Sequence, residues 1–297
     1  MKKAGAAASV AALFGAAEAS TIAAESFAPP IVVFSKVYQE LKLSLEDSAA
    51  ITAEAGLAGV DCPVRPGGQI LPEHAREELQ RFTEALAQRG LRMPLITTGI
   101  TNVVSPNTEE VLRNAKKFAG AKYYRFGFMP RKKDVPVEKQ LAEIRAQLKD
   151  LADLNKEIGM CGVIENHSGG NYLGGDLTEL HQMVSEFDPA QIGVAFDIAH
   201  ALVTHGDQWV SHFEKLKSHI RVAYVKDVRQ GRFVRFGEGE VGRVGYFKLL
   251  KQLGYAAPVS MHIEYPWSEQ GKSKTRDALV KVLKESAGVL KLWLAQA

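Results

Sequence analysis

Short runs of β-branched and aromatic residues alternate with helix-like segments from Pro30 to the C-terminus. The strand-like runs cover residues 31–37, 59–64, 91–98, 122–128, 161–166, 192–198, 220–225 and 259–264. The helix-like segments cover residues 45–55, 72–90, 108–119, 137–158, 177–187, 208–217, 246–253 and 273–294. Parallel strands need a crossover connection, usually a helix, so this order predicts a parallel sheet. Eight such units predict a single (β/α)8 TIM barrel.

Length and composition agree with one barrel and exclude several other classes. The chain has 297 residues, 46% of them hydrophobic, which is enough for the core of one barrel. The net charge is +3, and no basic block is interleaved with aromatic residues, so we expect no nucleic-acid partner. Cys62 and Cys161 lie inside predicted strands and indicate small buried side chains, without a disulfide framework.

The N-terminus has a different character from the rest of the chain. Lys2 and Lys3 precede an alanine-rich apolar run, as in an export signal. We therefore predict a signal peptide or a disordered N-terminus over residues 1–25 and the barrel over residues 26–297. With a genuine signal the protein is periplasmic or secreted, and otherwise it is cytoplasmic. The run is too short for a membrane span.

Charged residues stand at the carboxyl ends of four predicted strands. They are Glu165, Asp197, Glu264 and the pair Lys226-Asp227. In a parallel barrel all these ends open on one face. Side-chain alternation places the three acids on the small or polar face of their strands, which should point into the barrel. Polar groups buried together must satisfy one another, a metal ion or a ligand.

Three inward carboxylates on separate strands form a suitable site for a divalent cation. A cation bound by Glu165, Asp197 and Glu264 would polarise the carbonyl of a sugar and stabilise an enediolate after proton abstraction. Another ionisable group would return the proton, which is isomerase or epimerase chemistry. The alternative is that each acid caps its strand and pairs with an Arg or Lys.

Further candidate residues lie beside these acids. His200, three residues after Asp197, could bind substrate, relay a proton or ligate the metal, and Lys226 could stabilise an oxyanion. The candidates for substrate binding are Arg65, Arg125, His167 and Tyr224. His262 lies one layer deeper than Glu264 and suits either a supporting position behind the site or the core.

The motifs around these residues resemble a known family. Val163-Ile164-Glu165-Asn166-His167, Phe196-Asp197-Ile198-Ala199-His200, Val225-Lys226-Asp227 followed by Gly237-Glu238-Gly239, and Ile263-Glu264 are similar to the xylose isomerase-like TIM barrels. This is the sugar phosphate isomerase/epimerase group that includes endonuclease IV relatives, and the chain looks like an exported bacterial branch.

The resemblance implies one divalent metal, Mn, Co, Mg or Zn, bound by Glu, Asp, His and Glu from strands five to eight. By that match Glu165, Asp197 and Glu264 are ligands, and the two glutamates are also the acid/base pair. His200 matches a substrate-contacting histidine.

One position departs from the family pattern. The third ligand of the family is a histidine two residues before the lysine of the Lys-Asp pair, and this chain has Tyr224 there. We therefore expect His200 to complete the metal site, with His167 or His262 as alternatives, or a metal that is weakly bound or absent. Altered sites in this superfamily also carry out dehydration, lyase and hydrolase reactions.

Three functions are compatible with these residues, and a fourth is disfavoured. The first is a metal-dependent isomerase or epimerase acting on a small free or oxidised sugar in carbohydrate metabolism. The second is a lyase or hydrolase of keto-glycosides, and the third is a metal-free sugar-binding barrel. An endonuclease IV-like phosphodiesterase would need a three-metal cluster and a basic face, which the sequence lacks. Many relatives form dimers or tetramers, and homo-oligomers are compatible with this chain, although the sequence specifies no interface.

Overall fold

The computed structural model describes Met1, residues 27–268 and residues 273–297. Eight parallel strands close into a barrel in the order β1-β10-β7-β6-β5-β4-β3-β2. The barrel strands are β1 (Ile31–Phe34), β2 (Gly59–Val64), β3 (Arg92–Thr98), β4 (Tyr123–Arg125), β5 (Cys161–Glu165), β6 (Ile192–Asp197), β7 (Ile220–Val225) and β10 (Val259–Met261). An antiparallel hairpin follows β7 and consists of β8 (Asp227–Arg229) and β9 (Arg232–Val234). The predicted (β/α)8 TIM barrel is confirmed.

Helices surround the barrel between the strands. They are α1 (Lys36–Gln39), α2 (Leu45–Glu54), α3 (Ala75–Ala87), α4 (Thr108–Asn114), α5 (Val137–Ile158), α6 (Leu177–Val184), α7 (Ile198–His205), α8 (Trp209–Leu216), α9 (Tyr246–Gln252) and α10 (Arg276–Ala295). A 3-10 turn at Pro72–His74 precedes α3, another at Gly206–Gln208 precedes α8, and a π-helical turn at Ala115–Ala119 follows α4. None of the described helices is long and apolar enough to cross a membrane.

Local sequence signals set several helix ends. The Ser44 hydroxyl accepts a hydrogen bond from the backbone N–H of Asp47 at 3.0 Å, which caps α2 as its sequence predicts. Gly159 ends α5 at a φ of 66°, a left-handed conformation that glycine adopts without steric cost. The chain can therefore turn directly from α5 into β5.

Two apolar layers build the core. The larger one lies between the strands and the helices. The smaller one fills the barrel interior and consists of Leu95, Cys161, Val163, Ala195, Val222 and Tyr224. Cys62 and Cys161 are buried free cysteines, as the sequence predicts. The inward parity of Val163, Ala195 and Tyr224 agrees with the alternation in the sequence.

The structure corrects two features of the segments that follow β6 and β7. Ile198 and His200 belong to α7, whereas the sequence pattern placed them at the end of a strand and in a loop. The reason is the Asp197 carboxylate, whose Oδ1 accepts from the His200 backbone N–H at 3.0 Å and starts a helix at once. The β8–β9 hairpin was also not predicted. The predicted signal segment at residues 1–25 lies, apart from Met1, outside the described residues.

Candidate active site at the carboxyl ends of the strands

The predicted charged residues meet at one end of the barrel. Glu165 closes β5 and Asp197 closes β6, while Lys226 directly follows β7. Glu264 comes shortly after β10. Arg125 closes β4 and faces the same space. The strand directions bring these side chains together, because all eight strands run parallel.

The ammonium group of Lys226 lies at the centre of this group. Its Nζ is 2.7 Å from Glu264 Oε2, 3.0 Å from His200 Nε2 and 3.1 Å from Asp197 Oδ2. The Lys226 side chain is only 3% exposed. Burial alone would lower the pKa of Lys226, but Asp197 and Glu264 raise that pKa above its usual value. Burial would likewise raise the pKa of Glu264, yet the Lys226 ammonium holds it well below its usual range. The side chains of Lys226 and Glu264 therefore form a charged pair.

Glu165 has a different cationic partner. Its Oε2 lies 3.4 Å from Arg125 Nε, and the two side chains are 6% and 4% exposed. The Arg125 guanidinium also lies over the ring of Phe128, with Cζ 4.4 Å from the ring centre. Arg125 is therefore fixed from two sides and balances the charge of Glu165.

His200 is held between Lys226 and the loop after β5. Its Nδ1 lies 2.8 Å from Ser168 Oγ, and its ring packs on His167 with 4.0 Å between ring centres. Burial and the Lys226 charge lower the pKa of His200 to about 3, so the ring is neutral. The Ser168 N–H also points at Nδ1, from 3.2 Å. Because Lys226 donates to Nε2 over a shorter distance, we place the ring proton on Nδ1, donating to Ser168 Oγ.

Tyr224 lies in a polar layer beneath the charged groups. Its hydroxyl is 3.5 Å from Thr97 Oγ1, and Thr97 in turn donates to Asp61 Oδ1 at 2.8 Å. Ser260 donates to the other oxygen of Asp61 at 3.0 Å. Burial raises the pKa of Asp61 to about 6, and burial also raises the pKa of Tyr224 well above its usual value. Tyr224 is therefore a neutral phenol beside Asp61.

His262 is buried between two aromatic rings. Its ring centre lies 4.6 Å from that of Phe34 and 4.4 Å from that of Tyr224. Burial lowers the pKa of His262 well below its usual value, and its Nε2 has no hydrogen-bond partner among the described residues. His262 is therefore a neutral ring in the wall of the site.

A cavity of about 100 Å³ opens above these groups. Its lining contains Phe34, Lys36, Arg65, Thr97, Arg125, Phe128, Glu165, His167, Tyr224, Lys226, His262 and Glu264. Asp197 and His200 are not part of this lining. The Arg65 side chain has its Cζ 5.9 Å from the ring centre of Phe34 and makes no hydrogen bond or ion pair with the described part of the chain. Arg65 is therefore a half-buried cation open to a ligand.

Three of the four predicted metal ligands form a compact group. Glu165, Asp197 and His200 each offer one ligand atom, and these atoms lie within 4.8 Å of one another. This buried cluster could hold a metal ion. Asp197 Oδ2 supports that possibility, because it accepts no well-directed hydrogen bond from the described residues. Glu264 lies outside the group and binds Lys226.

The position of Lys226 opposes a divalent ion in this cluster. An ion about 2.1 Å from Asp197 Oδ2 and from His200 Nε2, as in zinc sites, would lie within about 5 Å of the Lys226 ammonium. Repulsion between a double and a single positive charge at that distance costs roughly 7 kcal/mol at an effective dielectric constant of about 20. Tyr224, at the position of the family's histidine ligand, turns its hydroxyl to Thr97. With Lys226 so placed, the donor set does not fit a resident metal.

The charges of the site are already compensated by side chains. Arg125 pairs with Glu165, and Lys226 lies between Asp197 and Glu264. Lys36 Nζ is a further cation, 3.9 Å from Glu264 Oε1 and 56% exposed. The three acids are thus matched by three cations, so no divalent ion is needed to neutralise them.

Some residues of the site were not predicted from the sequence. Asn166 Nδ2 donates to the carbonyl oxygen of Asp197 at 2.9 Å, and Asn166 Oδ1 accepts from its N–H at 2.8 Å. Asn166 thereby fixes the end of β6, and its place directly after Glu165 could have drawn attention to it. Phe233 of the hairpin covers the ammonium of Lys226, which lies 4.9 Å from the ring centre. No sequence motif marked that contact.

Solved structures of similar fold include sugar epimerases and a probable dehydratase. An L-ribulose 3-epimerase superposes with a TM-score of 0.70 at 17% identity, over 91% of this chain and 95% of that one. A D-psicose 3-epimerase from Clostridium cellulolyticum H10 gives a TM-score of 0.63 at 13% identity, over 90% and 96%. The probable 3-DHS dehydratase of petrobactin synthesis from Bacillus anthracis gives 0.64 at 16% identity, over 86% and 97%. These identities establish a shared fold.

Among curated proteins no match is found. The profile of the xylose isomerase-like TIM barrel family matches residues 49–291, which is most of the chain. This match covers the segments that end in Glu165, Asp197, Lys226 and Glu264, as the sequence motifs predicted. The chain therefore belongs to the xylose isomerase-like TIM barrel family.

Proposed function

We propose that this chain is a sugar isomerase or epimerase that removes a proton from the carbon next to a carbonyl group. The observation that carries the proposal is that Glu165 and Glu264 line one cavity at the carboxyl ends of the strands. Glu165 ends β5 and Glu264 lies in the segment after β10, and these two strands are three positions apart in the closed ring. Two carboxylates on different walls can act on the two faces of one substrate carbon.

A cationic group beside the acids supports this chemistry. Abstraction of the proton leaves negative charge on the carbonyl oxygen, and a fixed positive charge at that point lowers the barrier. Lys226 lines the same cavity, and the N–H group that it now directs at Glu264 can reach such an oxygen if it gives up that contact. A divalent metal held by Glu165, Asp197, Glu264 and His200, with Mn, Co, Mg or Zn as candidates, is the competing source of positive charge.

The cationic lining also favours an oxidised sugar as the substrate. Arg65 and Arg125 both face the cavity, and Arg65 has no acidic partner among the described side chains. A guanidinium group binds a carboxylate through two parallel hydrogen bonds. A keto or aldehyde sugar that carries a carboxylate would therefore use Arg65, while Glu165 and Glu264 act on the carbon beside its carbonyl. His167 and Tyr224 complete the wall.

A lyase acting on keto-glycosides or related compounds is the second candidate. It begins with the same proton abstraction and then expels a leaving group from the neighbouring carbon. The favouring observation is that a probable dehydratase is among the structures with this fold. A sugar-binding barrel without turnover is the third, and Tyr224 in place of the expected histidine supports it.

The test is incubation of the purified protein with ketoses, aldoses, keto-glycosides and sugar acids in D₂O, followed by NMR of the products. An isomerase or epimerase incorporates solvent deuterium at the carbon next to the carbonyl, and a lyase releases a second product. Glu165→Gln and Glu264→Gln should each slow turnover about 100-fold or more. Glu214→Gln, an exposed acid on α8, is the matched control. Turnover that persists in both site variants, or isomerisation without deuterium uptake, would contradict the acid/base assignment.

A further inference from the structure

We propose that the ammonium group of Lys226 is the resident cation of this site and takes the place of a divalent metal ion. The geometry behind this is the convergence of Asp197 Oδ2, His200 Nε2 and Glu264 Oε2 on one nitrogen at 2.7–3.1 Å. All three atoms belong to residues that the sequence assigns to a metal. The catalytic part of the inference rests on the proposed function, whereas the cation itself can be tested without turnover.

The backbone delivers Lys226 to this position. Lys226 follows the last residue of β7 and shares its inward parity with Tyr224. Phe233 of the β8–β9 hairpin covers the ammonium from above, and the side chain is 3% exposed. A buried ammonium needs partners that compensate for lost water, and here it has two carboxylates and an imidazole. The site is thus built around the charge of Lys226.

Tyr224 removes the usual competitor for the same acids. In a four-ligand metal site, the position of Tyr224 would supply an imidazole nitrogen next to Asp197. The Tyr224 hydroxyl instead belongs to the layer of Thr97 and Asp61, and its phenol is neutral. The group around Asp197 therefore lacks one donor for a metal, and the neighbouring lysine supplies a positive charge to it.

The histidine contacts agree with this assignment. His200 Nε2 accepts from the Lys226 ammonium at 3.0 Å, while Nδ1 is bonded to Ser168 Oγ at 2.8 Å. Both ring nitrogens are therefore occupied by protein groups. The same Nε2 lone pair cannot bind a metal ion and accept the ammonium proton at once.

The ammonium would act through its N–H groups. When a carboxylate of Glu165 or Glu264 takes the substrate proton, the C–H bond breaks and an O–H bond forms on the carboxyl group. The electron pair of the C–H bond moves toward the carbonyl oxygen, and the Lys226 N–H that leaves its contact with Glu264 donates a hydrogen bond to that oxygen. The ammonium keeps its protons and its charge throughout, so no oxidant, reductant or further reactant is needed.

Metal binding tests the assignment directly. The purified full-length protein is analysed for Mn, Co, Zn and Mg by elemental analysis and then titrated with each ion by calorimetry. We expect no stoichiometric metal, and no change in melting temperature after chelation with EDTA. Near-stoichiometric metal that stays bound through gel filtration, or a lower melting temperature after chelation, would overturn the inference.

The Lys226→Met variant gives the converse measurement. It removes the charge but keeps an unbranched side chain, and it leaves Asp197 and Glu264 without their cation. Affinity for Mn²⁺ or Zn²⁺ should rise on the order of 100-fold or more as the internal positive charge is lost. The control is Lys217→Met, which removes an exposed cation paired with Glu214 just before β7, at the opposite end of that strand from Lys226, and should leave metal affinity unchanged. Equal affinity in both variants would contradict the inference.

These readouts separate the two proposals. Because they record bound metal and melting temperature, they hold even if none of the sugars tested is turned over. If Lys226→Met fails to fold, the metal content of the unaltered protein still decides the question. If sugars are turned over with solvent deuterium uptake and that turnover stops in EDTA, the proposed function stands and the Lys226 assignment falls.

Discussion

Asp61 should make the stability of this protein fall as pH rises through the weakly acidic range. Its carboxyl group is fully buried beneath the site, and burial raises its pKa from 3.8 to about 6. Between these values the folded protein keeps the proton that the unfolded chain releases, so the free energy of unfolding decreases with rising pH. Over about two pKa units, at 1.36 kcal/mol per unit, the total is about 3 kcal/mol.

The Asp61→Asn variant isolates this contribution from other titrating groups. Asparagine keeps an oxygen for the Thr97 hydroxyl and can donate its amide N–H to the Ser260 hydroxyl, which rotates freely. The variant should therefore gain stability relative to the unaltered protein by roughly 2–3 kcal/mol on going from pH 4 to pH 7. This change is smaller than the total of about 3 kcal/mol because the unfolded carboxyl group is already partly ionised at pH 4.

The assay is urea unfolding followed by fluorescence at half-unit pH steps, with both proteins measured at the same ionic strength. The m-value should stay constant, so that the midpoint reports stability. A stability difference between the two proteins that does not change from pH 4 to pH 7 would refute the argument. It would mean that Thr97, Ser260 and Arg125 stabilise the ionised Asp61 enough to cancel its burial.

Three further changes test other contacts of the site. Arg65→Gln should weaken the binding of sugar acids by about 10-fold to 100-fold and leave the binding of neutral sugars nearly unchanged, because a charge-assisted pair is worth roughly 1.5–3 kcal/mol. Inhibition constants measure this, and an equal loss of affinity for both classes of sugar would argue against a carboxylate bound at Arg65. Asn166→Ala should lower stability by about 1–3 kcal/mol, because the backbone N–H and C=O of Asp197 are left unpaired in a buried place, and chemical denaturation would record it. Asp227→Asn should speed amide hydrogen exchange at residues 237–241. The Asp227 carboxylate accepts hydrogen bonds from the N–H groups of Gly237 at 2.9 Å, Gly239 at 2.8 Å and Val241 at 3.2 Å, and unchanged exchange at these residues would contradict that role.

The sequence predicted the barrel and the end at which its polar residues meet, because both follow from periodicity. The alternation along β6 already placed Ala195 and Asp197 on the inner face, and the parallel order put every strand end on one side. The closure of the strands into a ring then fixed Glu165 and Glu264 around one cavity.

The partner of each charged group could not be predicted in the same way. A sequence pattern places Lys226 inside the barrel, but it does not show which of several nearby acids its long side chain reaches. The Lys226 side chain reaches Asp197, His200 and Glu264 in a rotamer that also places its ammonium under the ring of Phe233 from the hairpin. The hairpin itself has a three-residue strand on each side, too short for a clear alternation.

Tyr224 carries a consequence for how such a site changes over generations. The codons for histidine and tyrosine differ at a single nucleotide, so a single point mutation at this position adds or removes an imidazole beside Asp197. The barrel accommodates the phenol there, since its hydroxyl finds Thr97 and Asp61 in the layer below. A lineage could therefore exchange dependence on environmental metal for a positive charge encoded in its own chain, and reverse the exchange, without rebuilding the fold.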